Sequence, residues 1–219
     1  MSAIDPLFDA IRAGDLGKVN ALVIDNPAIL AARNAQGISP LSWAAYTGQA
    51  AVFEMLRARR GDPDFFEACI LGDENAVQAA LDDGQDIDAF APDGFTPLAL
   101  AVFFGNRSLA RRLIEAGADP NLRANNAQHV GPIHAALARG DVQILELLLQ
   151  MGADPNAVQE RNFRPLHEAA SSGNTVGVAL LLMYGADPSA KADDGQTPAD
   201  LARSKGYAIA GRLDALTVS

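Results

Sequence analysis

The chain is poor in the residues from which most site chemistry is built. It has one cysteine, three histidines and one tryptophan in 219 residues, and aromatics make up 6%. With Cys69 alone, an intrachain disulfide is excluded, which fits a reducing compartment. No His or Cys cluster has metal-ligand spacing, so no metal and no cofactor is expected. The acidic string Asp82, Asp83, Asp86 and Asp88 lacks the ligand order and terminal glutamate of an EF-hand, and reads as solvated loop charge. No glycine-rich phosphate loop precedes a helix. Ser171-Ser172 has no histidine or lysine partner identifiable by spacing. No catalytic residues are assigned, and the chain reads as a non-enzyme.

Positive charge is scarce too. Seventeen Lys and Arg stand against twenty-seven Asp and Glu, for a net charge of −10 and a pI near 4.6. Such a surface repels nucleic acid and anionic lipid and attracts basic partners. The one dense basic run, Arg57, Arg59 and Arg60, reads as a solvated helix end favoured by the helix dipole. Long apolar runs are missing: Ile144 to Leu149 is far too short to span a bilayer. The N-terminal MSAIDPLFDAIRAGD, with Asp5 and Asp9, does not read as a secretory leader. The expectation is a soluble, cytoplasmic protein, monomeric when free, with neither nucleic acid nor membrane as partner.

What the chain does have is a recurring phrase. FTPLALAVFFGNRSLARRLIEAGADPN (95–121) returns as GPIHAALARGDVQILELLLQMGADPN (131–156) and RPLHEAASSGNTVGVALLLMYGADPS (164–189), then truncated as QTPADLARSKGYAIAGRLDAL. Its prolines, Pro97, Pro132, Pro165 and Pro198, are 35, 33 and 33 residues apart. A period in this range marks a solenoid of stacked helix pairs. Thr96-Pro97 and Thr197-Pro198 suit an N-cap and a first helical position. Gly48, Gly72, Gly105, Gly140, Gly173 and Gly206 end short first helices, and Gly117, Gly152 and Gly185 end the second. Alanines 101, 135, 136, 169 and 170 allow neighbouring short helices to approach closely.

The strings Arg164-Pro165-Leu166-His167-Glu168-Ala169-Ala170 and Leu181-Leu182-Met183-Tyr184-Gly185-Ala186-Asp187-Pro188 resemble the TPLH and GADPN hallmarks of the ankyrin repeat. The resemblance runs over nearly the whole chain. It implies an all-α solenoid of L-shaped repeats with short β-hairpin-like fingers, and assigns His134 and His167 to hydrogen bonds with neighbouring loops. Seven helix pairs in one domain are expected, at about 5–33, 34–61, 62–89, 90–122, 123–156, 157–189 and 190–219. Leu7-Phe8-Asp9-Ala10 and Phe65-Phe66-Glu67-Ala68 match at an offset of 58 residues, so the first two pairs look like a copy of the third and fourth. Between pairs two and three there is too little chain for a finger, which predicts a notch and a local change of curvature near Gly61.

The resemblance further implies a non-catalytic module that binds another protein through a concave face of short helices and fingers, and the acidic charge favours a partner with a basic surface. Its register selects Tyr46, Phe103, Phe104 and Arg139 at helix ends, with Phe95, His129 and Phe163 on fingers. Phe103 and Phe104 point about 100° apart on one helix, so one can be core while the other is exposed. Ile70 and Leu71 carry the same ambiguity, and Trp43 reads as core. Other uses of the same surface remain open: a bacterial immunity or antitoxin-type inhibitor, a stress-enzyme accessory, an engineered scaffold, or a ligand site at the notch.

Overall fold

A computed structural model describes residues 4–217. The first three residues of the N-terminal stretch and the last two of the seventh expected pair lie outside it. The described residues form fourteen α-helices, and the only β-type pairing among them is an isolated bridge between Gln159 and Phe163. The fold is thus an all-α solenoid whose finger loops carry no strand. Among the described residues, no helix is long and apolar enough to cross a membrane. The Cα packing divides into two compact units, one of residues 1–84 with 91–93, the other of 85–90 with 94–219.

The first unit holds α1 (Ile4–Arg12), α2 (Leu16–Asp25), α3 (Pro40–Tyr46), α4 (Ala50–Arg59), α5 (Phe65–Leu71) and α6 (Glu74–Asp82). Each pair is a hairpin: α1 packs on α2, α3 on α4, α5 on α6. The short helices α1, α3 and α5 pack in turn side by side. Leu7, Ile11, Val19, Val23, Leu41, Val52 and Leu56 form a buried core between them. Trp43 is half-buried against this core, and its indole Nε1 donates to the Phe8 carbonyl at 3.2 Å. Ile70 is buried, and Leu71 packs half-buried on the same core.

The fingerless junction before α5 has its own solution. Asp64 takes the N-cap place, accepting from the Glu67 backbone at 2.8 Å, while the Glu67 carboxylate accepts from the Asp64 N–H at 3.0 Å. This reciprocal cap satisfies two helix-end donors. Glu67 is 1% exposed and pairs with Arg60 Nε at 3.0 Å. Arg60 therefore departs from the solvated reading of the basic run: Arg57 and Arg59 are exposed, but Arg60 is drawn inward as counter-ion to a buried carboxylate.

The second unit holds α7 (Pro97–Phe103), α8 (Arg107–Glu115), α9 (Pro132–Ala138), α10 (Val142–Gln150), α11 (Pro165–Ser171), α12 (Thr175–Met183), α13 (Pro198–Ser204) and α14 (Ile209–Thr217). Two layers result: α7, α9, α11 and α13 pack in sequence, as do α8, α10 and α12. Leu98, Leu100, Leu113, Ile133, Leu145, Leu148, Leu166 and Leu181 are fully buried between them, each contributing about 1.5–3 kcal/mol of transfer free energy. Thr96 and Thr197 cap α7 and α13 through their hydroxyls, at 3.2 Å from the amides of Ala99 and Asp200. Asp141 and Asn174, each just after a first-helix glycine, cap α10 and α12 in the same way.

Helix α12 breaks the two-faced pattern. TVGVALLLM has no charge, yet Val176 and Met183 are exposed, Met183 by 79%. An all-round apolar sequence normally signals a fully buried helix; here only Gly177, Val178 and Leu181 are buried.

Candidate protein-binding surface

Two sets of hydrogen bonds hold the repeats of the second unit in register. On one side, Asn121 donates from Nδ2 to the Gly152 carbonyl at 2.9 Å and accepts at Oδ1 from the Asp154 N–H at 2.7 Å. Asn156 repeats both contacts one step on, with Gly185 and Asp187 at 2.9 Å each. The asparagine of GADPN is therefore an inter-repeat clamp, a role that its phrase did not disclose. Ser189 replaces it in the next copy and bonds locally to Asp187, which, with the adjacent Arg164 guanidinium, holds the Asp187 carboxyl below the usual range. Asp88 belongs to this system as well, accepting from the Asp119 N–H at 3.0 Å.

On the other side the histidines join helix to loop. His134 Nδ1 faces the Gly131 N–H and its Nε2 the Ala157 carbonyl at 3.2 Å. His167 does the same with the Arg164 N–H and the Gln196 carbonyl, at 3.2 and 3.3 Å. A carbonyl only accepts, so each ring is neutral with its proton on Nε2. Burial pulls His134 down to about 4 and lowers His167 too. Finger backbones are tied as well: Asn125 N–H to Gly94 at 2.8 Å, Glu160 N–H to Gln128 at 3.0 Å, Asp193 N–H to Arg161 at 2.9 Å. The short helices and fingers therefore present their outward side chains from a rigid base.

The residues selected from sequence fall as follows. Phe103 is 41% exposed at the end of α7, and Phe104 is half-buried, edge-on to it with ring centres 5.2 Å apart. Phe95 is half-buried beside the N-cap Thr96. Arg139 is exposed, but its guanidinium reaches back to the preceding repeat: Nη1 donates to the Phe103 carbonyl at 2.9 Å. It lies over Gly105, where a Cβ would come within 2.5 Å of Nη2. Arg139 and the Phe103–Phe104 pair thus adjoin. Phe163 is half-buried and tilted on the His167 ring at 5.1 Å. His129 is exposed, with φ of 51°. Tyr46 lies in the first unit, half-buried, where burial and a hydrogen bond with Asp93 raise its hydroxyl.

Two hollows flank Phe163. One, of 330 Å³, is bounded by Gln128, Val130, Gln159, Glu160, Arg161 and Phe163. The other, of 500 Å³, lies between Arg161, Phe163, Asp193, Asp194 and Leu201, among others. The turn they share is unusual: Arg161 and Asn162 both adopt left-handed backbone, at φ of 62° and 55°. Each non-glycine residue there costs on the order of 1 kcal/mol. Asn162 holds its place by donating from Nδ2 to the Lys191 carbonyl at 2.8 Å. Sequence reasoning found Phe163 but not Arg161, Glu160, Asp193, Asp194 or Leu201. The one visible signal was Arg-Asn at 161–162, where three other loops have Gln-Gly (36–37) or Asp-Gly (93–94, 194–195) and a fourth has Gln-His (128–129).

Comparison with known proteins agrees with this architecture. Over 101 residues the chain is 34% identical to an ankyrin repeat-containing protein of Treponema pallidum (strain Nichols), a match covering 46% of this chain and 33% of that protein. It is 37% identical over 101 residues to the ankyrin repeat, SAM and basic leucine zipper domain-containing protein 1 of Colobus guereza, covering 44% of this chain and 21% of the relative. The Pongo abelii protein of the same name is 38% identical over the same shares. The matches thus span a third or less of these curated relatives. A family model described as ankyrin repeats (3 copies) matches residues 65–124 and 123–192. With that match over more than half its length, on helices paired and clamped as described, the chain belongs to the ankyrin-repeat family.

Proposed function

We propose that this protein binds another protein through the face formed by its short helices and finger loops, and that it does so without catalysis. Ankyrin repeats generally serve as protein–protein interaction modules, and this is the coarse ground for the reading. The observation that carries it further is the set of partly exposed aromatic rings on the second unit, Phe103, Phe104 and Phe163, held on a rigid hydrogen-bonded frame. Rigid aromatics lose little conformational entropy on association and are enriched among residues that dominate binding energy. Phe95, Arg139 and His129 border them in this reading, and in the first unit Tyr46, at the end of α3, is a candidate by itself. The net charge of −10 favours a partner with a basic surface and speeds encounter.

The test is affinity capture with mass spectrometry, followed by binding of the captured protein to purified variants. Phe103→Asp is expected to weaken binding by at least ten-fold while far-UV circular dichroism and the melting curve stay as in the wild type. Undiminished binding by folded Phe103→Asp and Phe163→Asp variants would overturn the assignment of this face.

A further inference from the structure

The short helices of the second unit repeat one position that faces the same side at each step: Leu100 on α7, Ala135 on α9, Glu168 on α11 and Leu201 on α13. Three are apolar, and Leu100 and Ala135 are buried. Glu168 is the exception, a carboxylate in an apolar row on a helix packed between α9 and α13. It is half-buried, and among the described residues no cation or hydrogen-bond donor meets its carboxylate. Burial raises its pKa with no offsetting partner. A half-buried carboxylate in that position, without a cation of its own, is open to one supplied from outside.

Its surroundings point the same way. Leu201, at the equivalent position of α13, borders the 500 Å³ hollow beside Phe163. That hollow also has Asp193 and Asp194 at its edge, and Glu160 borders the hollow on the other side of Phe163. Arg161 is the one cation lining either hollow. Arg164, next to Phe163 in the chain, has its guanidinium turned to Asp187 at 3.8 Å. An apolar floor of Phe163 and Leu201, with the Asp193–Asp194 pair at its edge and Glu168 at the register position of Leu201 one short helix earlier, matches a ligand that is both apolar and cationic.

We propose that the surface around Phe163 takes an extended segment of a partner protein in which an arginine stands beside an aliphatic residue. The aliphatic side chain packs on Phe163 and Leu201, and the guanidinium meets Glu168 and the Asp193–Asp194 pair. Arginine fits better than lysine because its planar fork of five donors can bridge carboxylates on separate elements. This rests on the protein-binding reading above and names the chemistry of what is bound.

The probe is a phage-displayed library of random dodecapeptides panned on the full chain and on Glu168→Gln, with the enriched peptides then synthesised. Enriched sequences are expected to share an arginine next to Leu, Ile or Val. Affinity for the synthetic peptide should fall roughly ten-fold in Glu168→Gln, and by a similar factor when citrulline replaces the arginine. Asp194→Asn, at an exposed loop position, gives a second charge deletion that leaves the helix untouched and should weaken the peptide several-fold. No enrichment, enrichment without a basic residue, or equal affinity for the arginine and citrulline peptides would each overturn the proposal. If the captured partner still loses affinity with Phe103→Asp while the library yields no such motif, only this inference falls. If no partner depends on this face at all, both fall.

Discussion

Acid should unfold this protein through a histidine well before it does so through carboxylates. His134 is buried and neutral, with both ring nitrogens committed to backbone groups, and its pKa is pulled from an ordinary 6.5 to about 4. The unfolded chain takes up a proton near pH 6.5 that the folded chain refuses until about pH 4. Stability is therefore fully present above pH 6.5, falls as the pH drops from there to about 4, and then levels off. At 1.36 kcal/mol per pH unit the loss is capped at about 3 kcal/mol, and at pH 5 it reaches about 2 kcal/mol. His167 is shifted in the same direction by the same cause and adds to the effect. Glu168 opposes it. Its pKa is raised by burial, so protonation below that pKa favours the folded state. Asp187 and Asp200 are held low by hydrogen bonds, and lose their contribution only as the pH falls through and below the ordinary carboxylate range.

The assay is urea unfolding followed by far-UV circular dichroism at pH 7.5 and 5.0, for the wild type and for His134→Gln, whose amide can still accept and donate but does not titrate. With a slope of about 2–3 kcal/mol per molar urea, the wild-type midpoint should drop by about 1 M between the two pH values. His134→Gln should start lower at pH 7.5 and lose about 2 kcal/mol less than the wild type on acidification. Equal losses in the two proteins would refute the argument, because the buried neutral ring would then not be what acid attacks.

Three further outcomes follow from the packing. Arg60→Met should cost about 3–5 kcal/mol, since it leaves the Glu67 carboxylate, 1% exposed, without its counter-ion; a denaturant midpoint within error of the wild type would contradict the buried pair. Asn156→Ala should cost about 1–2 kcal/mol for two lost inter-repeat bonds, and amide exchange should quicken first at Asp187, whose N–H loses its acceptor. Met183→Lys, at 79% exposure, should change stability by less than about 0.5 kcal/mol; a larger loss would mean that α12 is covered as its composition would suggest.

The helices, their caps and their glycine stops were legible in the sequence because each is a local event. Thr-Pro before a helix, glycine after it and leucines at helical spacing act within one turn, and Gly105, Gly140 and Gly173 do adopt positive φ as their places in the phrase demand. The contacts that join repeats were harder to see. Asn121 reaches Asp154 and Arg139 reaches Phe103 across 33 and 36 residues, and no local pattern encodes that reach; the reach of His134 to Ala157 was implied by the family resemblance alone. The basic run misled for a related reason: Arg60 looks like its neighbours until Glu67 is folded against it. Helix α12 misled because a charge-free sequence says nothing about which of its faces is covered.

A stacked repeat asks the same question of the same register position at every step, so the residues that recur are those that answer to a neighbouring repeat. His134 and His167, Asn121 and Asn156, and the paired alanines all turn toward the next helix pair, and recurrence is a signature of internal use. What faces outward is under no such constraint. Phe103 among helix ends that otherwise carry Ala138, Ser171 and Ser204, Arg161-Asn162 where the loops at 36–37, 93–94 and 194–195 have glycine, and Glu168 in a row of Leu100, Ala135 and Leu201 are each breaks in the phrase. Each also carries a cost that the fold itself does not recover: an exposed ring, a left-handed backbone, an unpartnered carboxylate. Three such costs on one face of a structure otherwise consistent from repeat to repeat are hard to account for by folding alone, and a bound partner would relieve the exposed ring and the carboxylate together.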